Sequence, residues 1–425
     1  DAPGLLVRLT RTLERSKKMS RKKPSPDRFV GLDVHKHYLI AAAVDPDRNE
    51  VMSPWRVPLV RLDSWVRKSL SPQDAVVLEM TTNAYQLYDD LLPHVHSVTV
   101  VHPPHVALIT RAQVMTDKIA ARTLANLHAV GLLPSIWIPP LEVRDQRALV
   151  AQRTKMVRLS TQAKNRLHSL LHRHHFLPPA GKLFDPDNHQ WWLGLDISAL
   201  EKARVRCDLD TLVFAQTQIQ LLEETMLALA VQDERVVRLL QLPGVGLITA
   251  TTLLAAIGDI SRFSKAKNLV GYAGLGARVH DSGQTHRTGR ITKAGRRDIR
   301  AAMIEVAHTA ARTHPYWQAR LARLEPRLGK NKAIVAIARK LLVAVWHILT
   351  KNCPDRFADP ERVARKLLKY AHRLGRARRP QGQSVAQYVR HHLDRLGLGA
   401  ELASFSLSKT RRIDLPPSQL AAEVN

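Results

Sequence analysis

RFVGLDVHKHYLIAAAVD, residues 28–45, reads as two strands joined by a tight turn. Val30 and Leu32 alternate with small or polar positions, the period of a half-buried strand. The apolar run at 38–44 follows within a few residues, as in a hairpin. Asp33 stands near the end of the first strand. A lone carboxylate does no metal chemistry. A hard divalent cation needs several oxygens, so Asp33 requires further acids brought to it by the fold.

The neighbouring sequence supplies a scaffold for them. A third strand is expected near 51–57, and residues 59–70 show helical spacing at Leu59, Leu62, Trp65, Val66 and Leu70. The buried run AVVLE at 75–79 ends on Glu79. A helix over 83–92 and a buried strand over 97–101 follow, and Pro103 and Pro104 then break the chain. A helix from about 116 to 130 closes the unit. The order β-β-β-α-β-α-β-α predicts an α/β unit on a mixed sheet, antiparallel at one side. That is a ribonuclease-H-like arrangement, with the first strand central and beside the strand ending on Glu79.

The rest of the chain reads as all-α. Residues 144–176 form one long basic helix, in which Arg147, Arg153, Lys155, Arg158, Lys164, Arg166 and Arg173 face little acid. Leu149, Met156, Leu159, Ala163, Leu167 and Leu170 give it an apolar stripe. After a loop with Pro178, Pro179 and Gly181, a second helical pattern runs over about 197–240. Together they predict a helical hairpin or coiled-coil arm. LPGVG at 242–246, before an apolar helix at 247–257, fits a helix-hairpin-helix turn and equally a plain helical turn. Residues 259–300 combine a Gly-rich segment, Ser282 in a Gly-flanked loop, and a basic run through Arg287, Arg290, Lys293, Arg296, Arg297 and Arg300. Helices are expected over 298–313 and 332–349, then a basic helical tail.

Charge narrows the function. The 425 residues carry 65 Lys+Arg against 37 Asp+Glu, a net +28. Such a field attracts polyanions, and clustered basic residues point to nucleic acid. The chain shows no run of about 18 apolar residues, so no membrane span is expected. Residues 1–27 are basic without an apolar signal core, and Met19 is a plausible natural start. Two cysteines make neither a metal cluster nor a disulfide framework, and suit a reducing cytoplasm.

Two constellations can carry chemistry. Asp33 and Glu79 fall on neighbouring strands, and Asp117 opens a helix that can pack against the sheet. Three such carboxylates can hold Mg²⁺ for phosphoryl transfer. Singly, Asp117 also fits a helix N-cap and Glu79 a strand-end surface charge. The second is Ser282. A serine oxygen can attack a phosphodiester when Arg278, Arg287, Arg290 and Lys293 stabilise the developing charge. A serine in a Gly-flanked loop is also commonplace.

Five motifs carry a resemblance over most of residues 28–315: VGLDVHK at 30–36, VLEMT at 77–81, TDKIAARTLA at 116–125, LPGVGLITATTLLAAIGDISRF at 242–263, and GYAGLGARVHDSGQTHRTGRITKAGRRDIRAA at 271–302. The chain resembles the DEDD-type transposases of the "one-ten" insertion-sequence family, bridge-RNA-guided DNA recombinases. The resemblance implies a RuvC-like nuclease domain at 28–143 after a basic lead at 1–27. It further implies a coiled-coil arm at 144–240, a mostly helical transposase domain at 241–350 and a basic tail at 351–425. Family acids fall on Asp33, Glu79 and Asp117, and the nucleophilic serine on Ser282. Implied too are Mg²⁺, target and donor DNA, and a guide RNA. A bacterial, nucleoid-associated cytoplasmic setting follows. So does a homo-oligomer, a tetramer of paired dimers, in which the acids of one subunit meet the serine of another. Arg153, Lys155, Arg158, Lys164 and Arg166, with Arg278, Arg287, Arg290, Lys293, Arg296 and Arg297, are the expected nucleic-acid contacts.

One departure stands out. The family has a fourth acid three residues after the third, and here that position is Ala120. Residues i and i+3 share a helix face, so both acids could meet a metal. Alanine ligates nothing, which predicts weakened metal binding and impaired strand exchange. The intact surroundings favour an exchanged residue over a decayed copy. Alternatives are a DNA invertase acting without RNA, a metal-dependent junction nuclease whose C-terminal domain only binds DNA, and a non-catalytic nucleic-acid-binding protein.

Overall fold

The computed structural model describes residues 25–109, 116–282, 285–380, 383–408 and 410–422. The chain divides into two compact units, 1–139 and 140–425.

In the first unit, β1 (Arg28–Val34), β2 (Tyr38–Val44), β3 (Glu50–Pro58), β4 (Asp74–Glu79) and β5 (Ser97–Val101) form one sheet in the order β3-β2-β1-β4-β5. The first three strands are antiparallel; β4 runs parallel to β1, and β5 to β4. The mixed, ribonuclease-H-like sheet is therefore as the element order predicts, with β1 central. Side-chain alternation sorts its two faces. Val30, Leu32, Leu39, Ala41, Val76 and Leu78 pack with α1 (Leu62–Ser69) and α2 (Ala84–Leu91) in one core. After β5 comes α3 (Pro103–Ile109). The two prolines expected to break the chain instead open this helix, where a missing N–H is no loss and a fixed φ is already helical. The opposite face of the sheet, with Ile40, Ala42 and Val77, is covered by Ala121 and Leu124 of α4 (Asp117–Ala129).

In the second unit, α5 (Leu141–His174) and α7 (Ala199–Val231) form the arm. Arg153 pairs with Glu223, Arg166 with Asp208 and Arg173 with Glu201, so the two helices run antiparallel. Between them, α6 (His189–Leu193) buries Trp192 among Leu167, Leu170 and Leu209. The helix expected to continue to 240 is interrupted: Asp233 accepts from Arg235 N–H and starts a separate α8 (Glu234–Leu240). Then come α9 (Leu247–Ile257), α10 (Ala266–Tyr272), a hairpin of β6 (Ala277–Ser282) and β7 (Thr285–Ile291), α11 (Arg297–Thr313), α12 (Pro315–Leu328) and α13 (Lys330–Lys351). The tail adds α14 (Pro360–Leu374), α15 (Val385–Arg395) and the short pair β8 (Ser404–Ser406) and β9 (Arg412–Asp414).

One large core binds these elements, including Leu253, Met303, Leu341, Leu367 and Leu393. The tail beyond 351 is thus part of that core. By length and composition α13 could cross a membrane, but Ile334, Ile337, Leu341 and Val345 are core residues. α10, α12 and both short hairpins were not anticipated from the sequence.

Candidate catalytic centres

Leu32 pairs with Leu78 across β1 and β4, so Asp33 and Glu79 stand one residue further along neighbouring parallel strands. They share the parity of Gly31 and Val77, the face that α4 covers. Gly31 sets how close that helix comes. A Cβ there would lie 2.1 Å from Ala121 O and 2.6 Å from Ala125 N. Only glycine lets the helix backbone rest directly on the strand. The helix is capped by Thr116, whose Oγ1 accepts from Ile119 N–H at 3.4 Å. Asp117 is therefore not the N-cap, and its carboxylate is available to the sheet.

There it meets two residues that the sequence reading passed over. Tyr38 Oη donates to Asp117 Oδ2 at 3.1 Å. His35 Nε2 lies 3.2 Å from Asp33 Oδ2 and 3.1 Å from Asp117 Oδ2. Among the described residues, Asp33, His35 and Asp117 each offer a ligand atom within 4.8 Å of the others. Glu79 is not one of that trio, but it feels the charge of Asp33. Burial pushes the Asp33 carboxyl above its ordinary value; His35 opposes the shift and Asp117 adds to it. Burial likewise raises Glu79, with Asp33 contributing. His35 lies just after β1, two residues past Asp33, where no periodicity marks it in the sequence.

These residues suit a divalent cation. Carboxylates held together and partly desolvated repel one another, and a cation relieves that cost. Asp74 shows the contrasting case. It is more deeply buried, at 1% exposure, yet Arg28 neutralises it through bonds of 2.9 and 2.6 Å. Ala120 lies one turn along from Asp117, half-buried, and offers no ligand atom.

Ser282 occupies a strand and not the loop expected from its glycines. It is the last residue of β6, exposed, and pairs with Thr285 of β7. Residues 283 and 284 between them lie outside the described residues. The root of this hairpin is tightly held. Gly274 and Gly295 have φ of +66° and +105°, and Cβ atoms there would stand 2.4 Å from Ala294 O and 2.3 Å from Tyr272 O. Thr292 N–H donates to Gly276 O at 2.8 Å, Arg296 N–H to Tyr272 O at 2.8 Å, and Arg300 Nη1 to Ala273 O at 2.8 Å. A fixed base and an exposed Ser282 suit a residue that must meet a large external substrate.

The basic residues divide into two groups. Arg278, Arg290, Lys293 and Arg297 are exposed around the hairpin. The side chain of Arg287 lies outside the described ones, although its backbone pairs with His280. Arg296 is paired with Asp298. On the arm, Arg153 bonds Glu223 at 2.9 and 2.6 Å, and Arg166 bonds Asp208 at 2.8 and 2.6 Å. Arg147 donates to Ala255 O and Ala256 O at the end of α9. The expectation that this helix faces little acid is therefore corrected: its acids come from the antiparallel helix, 70 residues away in sequence for Arg153 and 42 for Arg166. Lys164 lies over the Phe184 ring at 5.4 Å, whereas Lys155 and Arg158 are exposed.

Two segments of the chain match models of known protein families. The model of the DEDD transposase family of IS110 matches residues 30–176, and that of the transposase IS116/IS110/IS902 family matches 236–322. The transposase for insertion sequence element IS1111A of Coxiella burnetii is 25% identical over 79% of this chain and 93% of its own length. The pilin gene-inverting protein of Moraxella bovis is 25% identical over 77% of this chain and 97% of its own. The two matched segments carry the acid centre and the serine hairpin respectively, and the chain belongs to the IS110/IS116 family of DEDD transposases.

Proposed function

We propose that this transposase cuts and rejoins DNA through Ser282, with Asp33, Glu79 and Asp117 holding Mg²⁺. The observation that carries this reading is the meeting of Asp33 and Asp117 at His35, in a chain whose Ser282 is exposed on a hairpin that also carries exposed basic residues. Bound there, Mg²⁺ would polarise a DNA phosphate and stabilise its oxygens. The Ser282 hydroxyl gives up its proton as its oxygen bonds phosphorus. The bond from phosphorus to a deoxyribose oxygen breaks, and that oxygen takes a proton. A deoxyribose oxygen from the new strand then reverses the step and frees Ser282. Arg278, Arg290 and Lys293 offset the charge on phosphorus oxygens, the role for which guanidinium donors suit phosphate. Tyr38 and His35 hold the Asp117 carboxylate in place.

The acids belong to the first compact unit and Ser282 to the second. Family resemblance supports pairing the acids of one subunit with the serine of another, in a tetramer acting on DNA in the cytoplasm. A guide RNA reads the target by base pairing while the protein grips backbones, a division of labour suited to a chain of +28. Lys155 and Arg158 are exposed on the arm for that grip. Ala120 leaves the acid centre one carboxylate short and slows strand exchange. The likeness to the pilin gene-inverting protein favours a second reading, DNA inversion, which we take to need no RNA.

Strand exchange on DNA carrying the element's ends, with and without its flanking RNA, tests the proposal. Ala120→Asp should raise exchange at least tenfold, and only with RNA present. Exchange that is equal without RNA would support the inversion reading. No exchange by Ala120→Asp in either arm would overturn the proposal.

A further inference from the structure

A cleft lies between α12, α13 and the turn that follows them. It encloses about 320 Å³. Three of its lining side chains hold buried polar atoms that meet no hydrogen-bond partner among the described residues: Trp317 Nε1, Arg320 Nε and Asp355 Oδ2. A buried polar atom without a partner costs on the order of 1–3 kcal/mol. Three in one cleft form a pattern, two donors and one acceptor, that a ligand could satisfy. Trp317 is 4% exposed, so its N–H is held in place by the core. The wall beside it is aromatic: Tyr316 stacks on Phe357 with ring centroids 3.6 Å apart, and Trp317 meets Tyr316 edge-on at 4.9 Å. Lys340 and Arg356 also line the cleft and are exposed.

We infer that this cleft receives a single unpaired guanine nucleotide of a nucleic-acid strand. An aromatic wall is the usual platform for an unstacked base. Guanine offers O6 and N7 as neighbouring acceptors, matching the two free donors. Its N1–H and N2–H groups match a carboxylate oxygen. Lys340 and Arg356 suit the adjoining phosphates. Burial raises the Asp355 carboxyl, a cost that donors from a base would relieve. The inference rests on the reading of this chain as a nucleic-acid enzyme, but it concerns residues assigned no role in the chemistry.

Fluorescence anisotropy of the full-length protein tests it. The probes are labelled thymidine 15-mers carrying one central guanine, adenine or abasic residue, in DNA and RNA forms. The guanine strand should bind about tenfold tighter than the others. Asp355→Asn and, independently, Trp317→Phe should reduce that preference below twofold while leaving affinity for the abasic strand unchanged. The form, DNA or RNA, that shows the preference identifies the source of the nucleotide. Equal binding of all three strands by the wild-type protein overturns the inference while nucleic-acid binding stands. So does an undiminished preference in both variants when each melts as the wild type does. Absence of binding to every strand overturns the broader reading as well.

Discussion

Asp33 is held in a position that costs the metal-free protein stability. Its carboxyl and that of Glu79 lie above their ordinary values of 3.8 and 4.5, both chiefly through burial. The folded chain therefore binds these protons more tightly than the unfolded chain does. Metal-free stability should fall as pH rises from the ordinary values through the raised ones. A divalent cation acts in the opposite sense, because it competes with those protons. The rise in Tm on adding Mg²⁺ should thus be small at pH 5 and larger at pH 7.5. Asp33→Asn should remove the difference while leaving the metal-free protein at least as stable at pH 7.5. A Mg²⁺ effect that is the same at both pH values would contradict this account of the centre. The acids themselves were legible in the sequence, because each follows an apolar run whose strand or helix could be placed. His35 was not, because a histidine in a turn has no periodicity to mark it. Its role depends on a contact with Asp117, 82 positions later by their numbering.

Between elements, contact is set by what the backbones allow. Gly31 lets α4 lie on β1, and no other residue fits without moving the helix. Gly31→Ala should cost about 1–3 kcal/mol of stability through overpacking. It should also weaken Mg²⁺ binding, since Asp117 rides on the displaced helix; thermal melts with and without the ion measure both effects. On the arm, exchanging Lys155 and Arg158 for Gln should weaken nucleic-acid binding evenly across sequences and lower the salt slope by about two. The same change at Arg166 should act mainly through its pair with Asp208. That is an exposed ion pair, worth about 0.2–1 kcal/mol. The order of strands in the first unit was legible because each has alternating or continuous apolar residues. The pairing of the arm's arginines was not, because local sequence shows acids within a helix and not those across from it. The serine hairpin was misread as a loop for a similar reason. Its glycines mark the tight root at Gly274 and Gly295, while the strands between them are mostly polar, with Arg278, Ser282 and Arg290 exposed.

At the scale of the whole molecule, the chemistry is divided. The acid centre sits in one compact unit and Ser282, the proposed nucleophile, in the other. If acids and serine act across subunits, two inactive variants should complement each other. In an Ala120→Asp background, Asp33→Asn mixed with Ser282→Ala should regain a measurable share of the exchange that each alone lacks. The most direct measurement is of Ser282 itself. The Ala120→Asp protein would be incubated with Mg²⁺, the flanking RNA and DNA carrying the element's ends, then digested for mass spectrometry. A peptide containing Ser282 and bearing a phosphodiester-linked nucleotide is the predicted result, lost in Ser282→Ala and in Asp33→Asn. DNA cleavage that persists in Ser282→Ala, with no adduct on that peptide, would contradict it.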